Sequence, residues 1–334
     1  MDIDVVILWV DGSDPAWLEE KAKYTAPAEL DSNSVNRYRD WGLLPYWFRA
    51  VERFMPWVRK IHFVTWGHVP GFLNLNAPKL NVVSHNQFIP AEYLPTFNSH
   101  TIEMNIHRIP GLADKFIYFN DDMFPLRPMH EKSFFQNNFP CTYGREVPWS
   151  FEGKINVWEH AVVNNLGVIN KHFSKRETIQ KYNKKFFSKN YRWKDNLRTA
   201  VLNLLFPDYF LGFKNLHAPA AYLKHTYEEV WEAEPELLHR TCKDRFRTAQ
   251  NVNQWLCLWW QIASGEFEPK NVDCVVEDIS CESVGKLCDI IFGQEHDMIC
   301  INDPSDEVDV EYLSGQLRHA FAQILPERSG FEKA

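Results

Sequence analysis

The chain has no CxxC pair among its seven cysteines (141, 242, 257, 274, 281, 288 and 300), and their number is odd. Neither a zinc knuckle nor a complete disulfide framework is indicated. The regular spacing of Cys274, Cys281 and Cys288 is read as buried or free thiols, and a reducing compartment is expected. Positive charge is also short: 36 Lys and Arg against 44 Asp and Glu give a formal charge of −8, which argues against a nucleic-acid partner. No run approaches the ~18 consecutive apolar residues of a membrane span. The N-terminus carries Asp2 and Asp4 where a secretory leader would carry basic residues, so no export signal is expected. Internal repeats and low-complexity tracts are absent, and disorder is expected only in the last few residues.

What the chain does have is aromatic side chains, at 15% of 334 residues with 13 Trp and 24 Phe. Flat apolar rings fill cores, and they also hold sugar faces and nucleobases. The length suits one large α/β domain with insertions, or two modest domains sharing a cleft.

Residues 3–10 are β-branched and aliphatic and stop at Asp11-Gly12-Ser13-Asp14-Pro15, which reads as a strand, a loop and a helix opened by proline. The loop after such a strand is where open α/β folds bind ligands. Helical spacing of Leu44, Trp47, Phe48, Val51 and Phe54 predicts a helix over 43–54. Strands are expected at 61–65, 81–84 and from Lys115 into Asn120-Asp121-Asp122, with an amphipathic helix over 99–108. This alternation predicts a largely parallel sheet with crossover helices. From 141 to 215 Lys, Asn and aromatics dominate and the helices look short. That stretch is read as an insertion or cap over an acceptor site. Helical periodicity returns at 219–234 and 247–263, and Leu313, Leu317, Ala320, Phe321 and Ile324 give the C-terminus a docking face for the core or a partner. The expected division is a 1–140 nucleotide-sugar core, the 141–215 insertion, the rest of the core at 216–305, and a helical tail at 306–334.

Asn120-Asp121-Asp122 is the strongest chemical constellation. Adjacent carboxylates at a strand end can hold a hard divalent cation against a diphosphate, since Mg²⁺ takes oxygen ligands. The alternative is a plain Asx turn. His217, ahead of an expected helix, is either a proton carrier or a structural histidine. Arg247, expected at a helix start, either forks onto a phosphate or joins a surface ion pair. Asp303, after the apolar run 298–301, is a second strand-end carboxylate.

In order and wording these segments resemble the Stealth family of hexose-1-phosphate transferases. Ile3-Asp-Val-Val-Ile-Leu-Trp-Val-Asp-Gly-Ser-Asp-Pro15 looks like its first conserved region. Arg37-Tyr-Arg-Asp40 through Phe124, with Pro56-Trp-Val-Arg59, Phe63-Val-Thr65, Leu94-Pro-Thr-Phe97, Ile102-Glu103, His107-Arg-Ile109 and Phe119-Asn-Asp-Asp122, looks like the second. His217-Ala-Pro219 to Ser264 resembles the third, and Ile299-Cys-Ile-Asn-Asp303 the short fourth. About two thirds of the chain is covered.

The family includes polymerases of phosphate-linked bacterial capsules and the animal enzyme that tags lysosomal glycoproteins. The resemblance implies a Rossmann-like (GT-A-like) α/β fold with a mostly helical insertion. It implies Mg²⁺ or Mn²⁺ as cofactor, at Asp121, Asp122 and Asp303, and catalytic roles for Asp122, His217 and Arg247. Trp9, Val10, Asp11, Gly12, Arg39, Glu103 and Asn120 are the expected substrate contacts. The implied partners are a nucleotide-diphosphate sugar donor and an oligosaccharide or polysaccharide acceptor. A homo-oligomer, or peripheral association with a capsule assembly complex, is the further expectation, with a cytoplasmic location at the inner face of the membrane. Lys224, Thr248 and Asn251 depart from the animal enzyme, where Arg, His and Asp stand, which bears on acceptor contacts. Lys154 is a further candidate phosphate-binding cation. Metal-dependent glycosyl transfer and an inactive carbohydrate-binding protein are the competing readings.

Overall fold

The computed structural model describes residues 1–25, 38–151, 153, 155–214, 217–270, 273–303 and 308–333. Arg37, Lys154 and Pro304 lie outside them. The chain opens with strand β1 (Ile3–Leu8), then α1 (Pro15–Ala22) with proline in its first turn and Asp14 capping the Trp17 N–H, α2 (Leu44–Phe54), β2 (Ile61–Thr65), β3 (Leu80–Ser84) and α3 (Ser99–Asn105). β4 (Lys115–Phe119), β5 (Met123–Pro125), β6 (Phe135–Gln136) and β7 (Phe139–Thr142) follow. Next come α4 (Val157–His172), α5 (Lys175–Lys181), α6 (Asn183–Phe186) and α7 (Trp193–Leu205). Then β8 (Ala220–Leu223) leads to α8 (Lys224–Ala233), α9 (Pro235–Lys243), α10 (Trp255–Ser264) and β9 (Glu268–Pro269). β10 (Cys274–Asp278), α11 (Val284–Gly293), β11 (Met298–Asn302) and α12 (Val310–Ile324) complete the chain.

The main sheet has the order β3-β2-β1-β4-β8, with the first four strands parallel and β8 antiparallel to β4. The expected mainly parallel α/β sheet flanked by helices is therefore present. β1 and β2 are buried along almost their whole length because both faces of the sheet are covered, and apart from Asp4, His62 and Thr65 their residues are apolar. On one face α2 buries all five of its spaced apolar residues. There α12 also docks, with Leu313, Leu317, Ala320 and Phe321 buried and Phe321 against Phe124 and Tyr46. The docking-helix reading is thus right, and the occupant is the core. The other face is covered by α3, α8 and α10, joined in one apolar cluster by Val162, Val168 and Ile169 of α4 and Phe186 of α6. Residues of the 141–215 segment share that core.

Three local expectations need correction. Residues 220–223 form the edge strand β8, not the start of a helix, because Ala220 to Leu223 pair with Tyr118 to Lys115. The helix expected over 247–263 begins only at Trp255; residues before it spend their hydrogen bonds on side chains, such as Thr248 N–H on Asn251 Oδ1 at 3.0 Å. And α4 and α7, of 16 and 13 residues, are not short: their polar residues bond within the protein interior, which blurs the apolar period.

Candidate active site

The parallel strands all end at one edge of the sheet, and the backbone leaving them surrounds a cavity of about 370 Å³. Trp9 and Val10 reach it from the end of β1, and Asn120, Asp121 and Asp122 from the end of β4. His217 arrives from the approach to β8, and Arg247 from the loop ahead of α10. Arg39, Glu103 and Asp303 also line the cavity. Asp11 and Gly12 do not; they build the turn. Asp11 Oδ1 accepts from the Ser13 N–H at 2.8 Å and from Ser13 Oγ at 2.6 Å, and its own N–H donates to His68 Nε2 at 2.8 Å. Gly12 lets Tyr38 approach: a Cβ there would lie 2.2 Å from the Tyr38 carbonyl oxygen.

Register places the acidic end of β4. The antiparallel pairing of β4 with β8 sets His217 beside Asn120, whose Nδ2 lies 3.2 Å from His217 Nε2. The β11–β5 pairing sets Cys300 opposite Met123, and the Ile301 N–H donates to the Asp122 carbonyl at 2.9 Å. Asp122, His217 and Cys300 therefore converge, with Asp122 Oδ2 at 3.7 Å from His217 Nε2 and Cys300 Sγ at 3.3 Å from His217 Nδ1. In the sequence Cys300 is one more apolar residue of a strand, and the strand register brings it here.

Burial raises the Asp122 carboxyl above the ordinary range, partly offset by His217. Asp121 presents its side chain to the cavity, where loss of bulk water and the neighbouring Asp122 charge push its carboxyl up to about 7. Burial and Asp122 push the Cys300 thiol far up, which favours its protonated form. Asp122 Oδ1 is buried with no hydrogen-bond partner among the described residues. An orphaned buried carboxylate oxygen is costly. Beside a second carboxylate whose ionisation the site resists, it fits a hard, oxygen-seeking divalent cation.

Asp303 is differently employed. Arg39 Nη1 donates to both its oxygens at 3.0 and 2.8 Å, so the carboxylate expected at the metal and the arginine expected at the substrate are paired with each other on the cavity wall. Glu103, 7% exposed, accepts from Ser99 Oγ at 2.9 Å and from the Gln254 N–H at 3.2 Å. Burial raises its carboxyl, and Arg247 opposes the rise. Arg247 itself donates to Ser99 Oγ at 2.5 Å and otherwise faces the cavity, half-buried.

The loop that carries Arg247 is held by groups the sequence reading did not single out for this purpose. Asn98 Nδ2 donates to Asn251 Oδ1 at 2.9 Å and to the Phe246 carbonyl at 3.3 Å, while Asn98 Oδ1 accepts from the His100 N–H at the start of α3. Asn251 Nδ2 donates to Asp244 Oδ2 at 2.7 Å, as does Thr248 Oγ1 at 2.8 Å. Asn251 and Thr248 thus brace this loop. Next to it Phe97 stacks on Phe246 with centroids 5.4 Å apart, and Trp17 packs on Tyr38 at 4.9 Å, giving the cavity an aromatic wall.

Known proteins similar to this chain show its family. The family models described as Stealth protein CR1, conserved region 1, and Stealth protein CR2, conserved region 2, match residues 1–26 and 37–142. The capsular polysaccharide phosphotransferase WcwK of Streptococcus pneumoniae is 39% identical over 341 residues, covering 99% of each chain. The receptor polysaccharide phosphotransferase WefC of Streptococcus oralis is 37% identical over 336 residues, again covering 99% of each. The exopolysaccharide phosphotransferase cps2G of Lactiplantibacillus plantarum is 34% identical over 337 residues, with 99% of this chain and 96% of its own. Among solved structures, mouse xyloside xylosyltransferase 1 in its apo form is similar at a TM-score of 0.35 and 13% identity, covering 90% of this chain and 98% of that one, too slight a likeness to carry an argument. With identity of this order over whole chains, and both conserved-region models matched in sequence, the chain belongs to the Stealth family of phosphotransferases.

Proposed function

We propose that the chain transfers a sugar-1-phosphate from a nucleotide-diphosphate sugar to a hydroxyl of a glycan acceptor, in the assembly of a capsular or other cell-surface polysaccharide. The observation that carries this reading is the meeting of Asp121, Asp122, His217 and Arg247, drawn from three separate stretches of chain, in one aromatic-walled cavity at the strand ends. The acceptor oxygen attacks the β-phosphorus, the bond from that phosphorus to the bridging oxygen of the α-phosphate breaks, and nucleoside monophosphate leaves. Charge spreads over the phosphoryl oxygens, so alignment and cationic stabilisation are the main requirements.

Arg247 meets that charge with a planar fork anchored by Ser99 on one side. The hydroxyl proton passes to His217 or Asp122, which face each other at 3.7 Å on the cavity wall. Asn120 holds His217 in orientation, at 3.2 Å from its Nε2. Asp121 and Asp122 would hold Mg²⁺ or Mn²⁺, which when bound neutralises diphosphate charge. The aromatic wall offers stacking to the nucleobase or a sugar ring.

A panel of nucleotide sugars incubated with an oligosaccharide acceptor tests the reading. Nucleoside monophosphate released in step with product supports it. Nucleoside diphosphate as the primary species means glycosyl transfer, and tight glycan binding without turnover means a binding protein.

A further inference from the structure

Helix α7 turns its polar side inward. Its buried residues are Asp195, Thr199 and Leu202. Asp195 accepts from the Tyr143 hydroxyl at 2.7 Å and from Arg145 Nη1 at 2.5 Å. At the other end Lys175, itself 1% exposed and paired with buried Glu146, donates to the Phe206 carbonyl at 2.7 Å. These contacts fix the rotation of the helix about its axis. Trp193, Leu197, Val201 and Leu204 follow one another at helical spacing, and all four face solvent, Trp193 at 69% and Leu204 at 81% exposure. Leu205 and Phe206 extend the stripe. Most surface helices bury the apolar stripe. An exposed one of this length marks a contact surface.

The surrounding charge identifies the occupant. In a chain of formal charge −8, residues 175–206 carry nine Lys and Arg against two Asp and Glu. Lys184, Lys189, Arg192, Lys194 and Arg198 are exposed around the stripe, and Lys194 lies over the Trp193 ring at 5.7 Å. A second copy seated here would bring these cations against their own counterparts. An anionic lipid surface meets both features: apolar side chains enter the acyl boundary, tryptophan sits at headgroup depth, and flanking cations are drawn to the anionic surface. We propose that the outward face of α7, from Trp193 to Phe206 with its rim of basic residues, docks this protein in the plane of an anionic bilayer. The surface is separate from the cleft, so its failure leaves the phosphotransferase reading standing.

Co-sedimentation of the full chain with vesicles tests this, using phosphatidylcholine alone or mixed equally with phosphatidylglycerol. The protein should pellet with the mixed vesicles at low salt, be released as salt rises, and ignore phosphatidylcholine alone. Combining Trp193→Ser, Leu197→Ser and Leu204→Ser should weaken binding about tenfold or more, with an unchanged circular dichroism spectrum. Leu204→Glu alone, at the most exposed position, should weaken it too and guards against misfolding of the triple variant. The proposal is overturned if the wild type stays in the supernatant with mixed vesicles at low salt, or if the variants pellet like the wild type. It is overturned equally if sedimentation equilibrium shows a wild-type dimer that the variants convert to monomer, which would make a second copy the occupant.

Discussion

The two edges of the main sheet carry similar groups and treat them oppositely. At the N-terminal edge Asp4, fully buried, accepts from Arg59 Nε at 2.9 Å, from Arg59 Nη2 at 2.5 Å and from the Ala113 N–H at 2.8 Å, with His62 Nε2 at 2.9 Å. Burial works to raise its carboxyl, and the hydrogen bonds outweigh it and hold it low. At the C-terminal edge Asp122 keeps a buried oxygen without a hydrogen-bond partner among the described residues, its carboxyl and that of Asp121 are raised, and Arg247 donates a hydrogen bond to a serine hydroxyl. Full pairing ties strands together. Incomplete pairing stores a demand that a ligand can satisfy, and perturbed groups of this kind mark sites of chemistry.

That contrast breaks most sharply at Asp122. Asp122→Asn should cut turnover by about a thousandfold or more, within the range for loss of a proton-handling carboxylate, while stability stays level or rises. Steady-state kinetics beside denaturant melts checks both halves; an active variant removes the residue from the chemistry. Asp4→Asn should do the reverse, costing about 3 kcal/mol of stability by stranding Arg59 and His62, with kcat unchanged in the protein that remains folded.

Much of this contrast was legible in the sequence, but unevenly. The apolar runs ending in Trp9 and in Asn120-Asp121-Asp122 place the cleft, because a buried parallel strand leaves a continuous signal and its end is a turn of polar residues. The spacing of α2 and α12 worked for the same reason. His217 lies in a loop, as its sequence context indicates, but the segment after it is the four-residue strand β8 and not a helix, and Arg247 sits in a loop and not at a helix start, because that loop is built from side-chain bonds that have no period. Asp303 and Cys300 show the deeper limit. Which carboxylate an arginine takes across 264 residues, and which strand residue faces a histidine, are decided by register and packing. The inward polar side of α7 was hidden likewise, because its partners lie at Tyr143, Arg145 and Lys175.

Smaller effects sharpen the comparison. Arg247→Lys keeps the charge and loses the fork, so a 10- to 100-fold fall in kcat/KM is expected, roughly 1.4–3 kcal/mol; near wild-type kinetics would make the arginine structural. Asn98→Ala removes the brace between α3 and the Arg247 loop. It should cost about 1–3 kcal/mol of stability and lower kcat by loosening Arg247, read as a larger loss in kcat than in donor affinity.

A further contrast concerns acid. Burial pushes the His85 and His107 imidazoles down to about 3, against an ordinary 6.5. Between those values the unfolded chain binds protons that the folded chain refuses, so stability is complete above pH 6.5 and falls as pH drops toward 3. His107→Asn should flatten that fall by at most about 1.4 kcal/mol per pH unit, measured from urea midpoints across the range.

The most direct test of the central claim is phosphorus NMR of the purified product, paired with chromatography of the released nucleotide. Attack at phosphorus predicts a phosphodiester resonance in the product, the donor's anomeric configuration retained, and nucleoside monophosphate formed mole for mole. A phosphate-free glycosidic product with nucleoside diphosphate released would contradict it, whatever the standing of the fold.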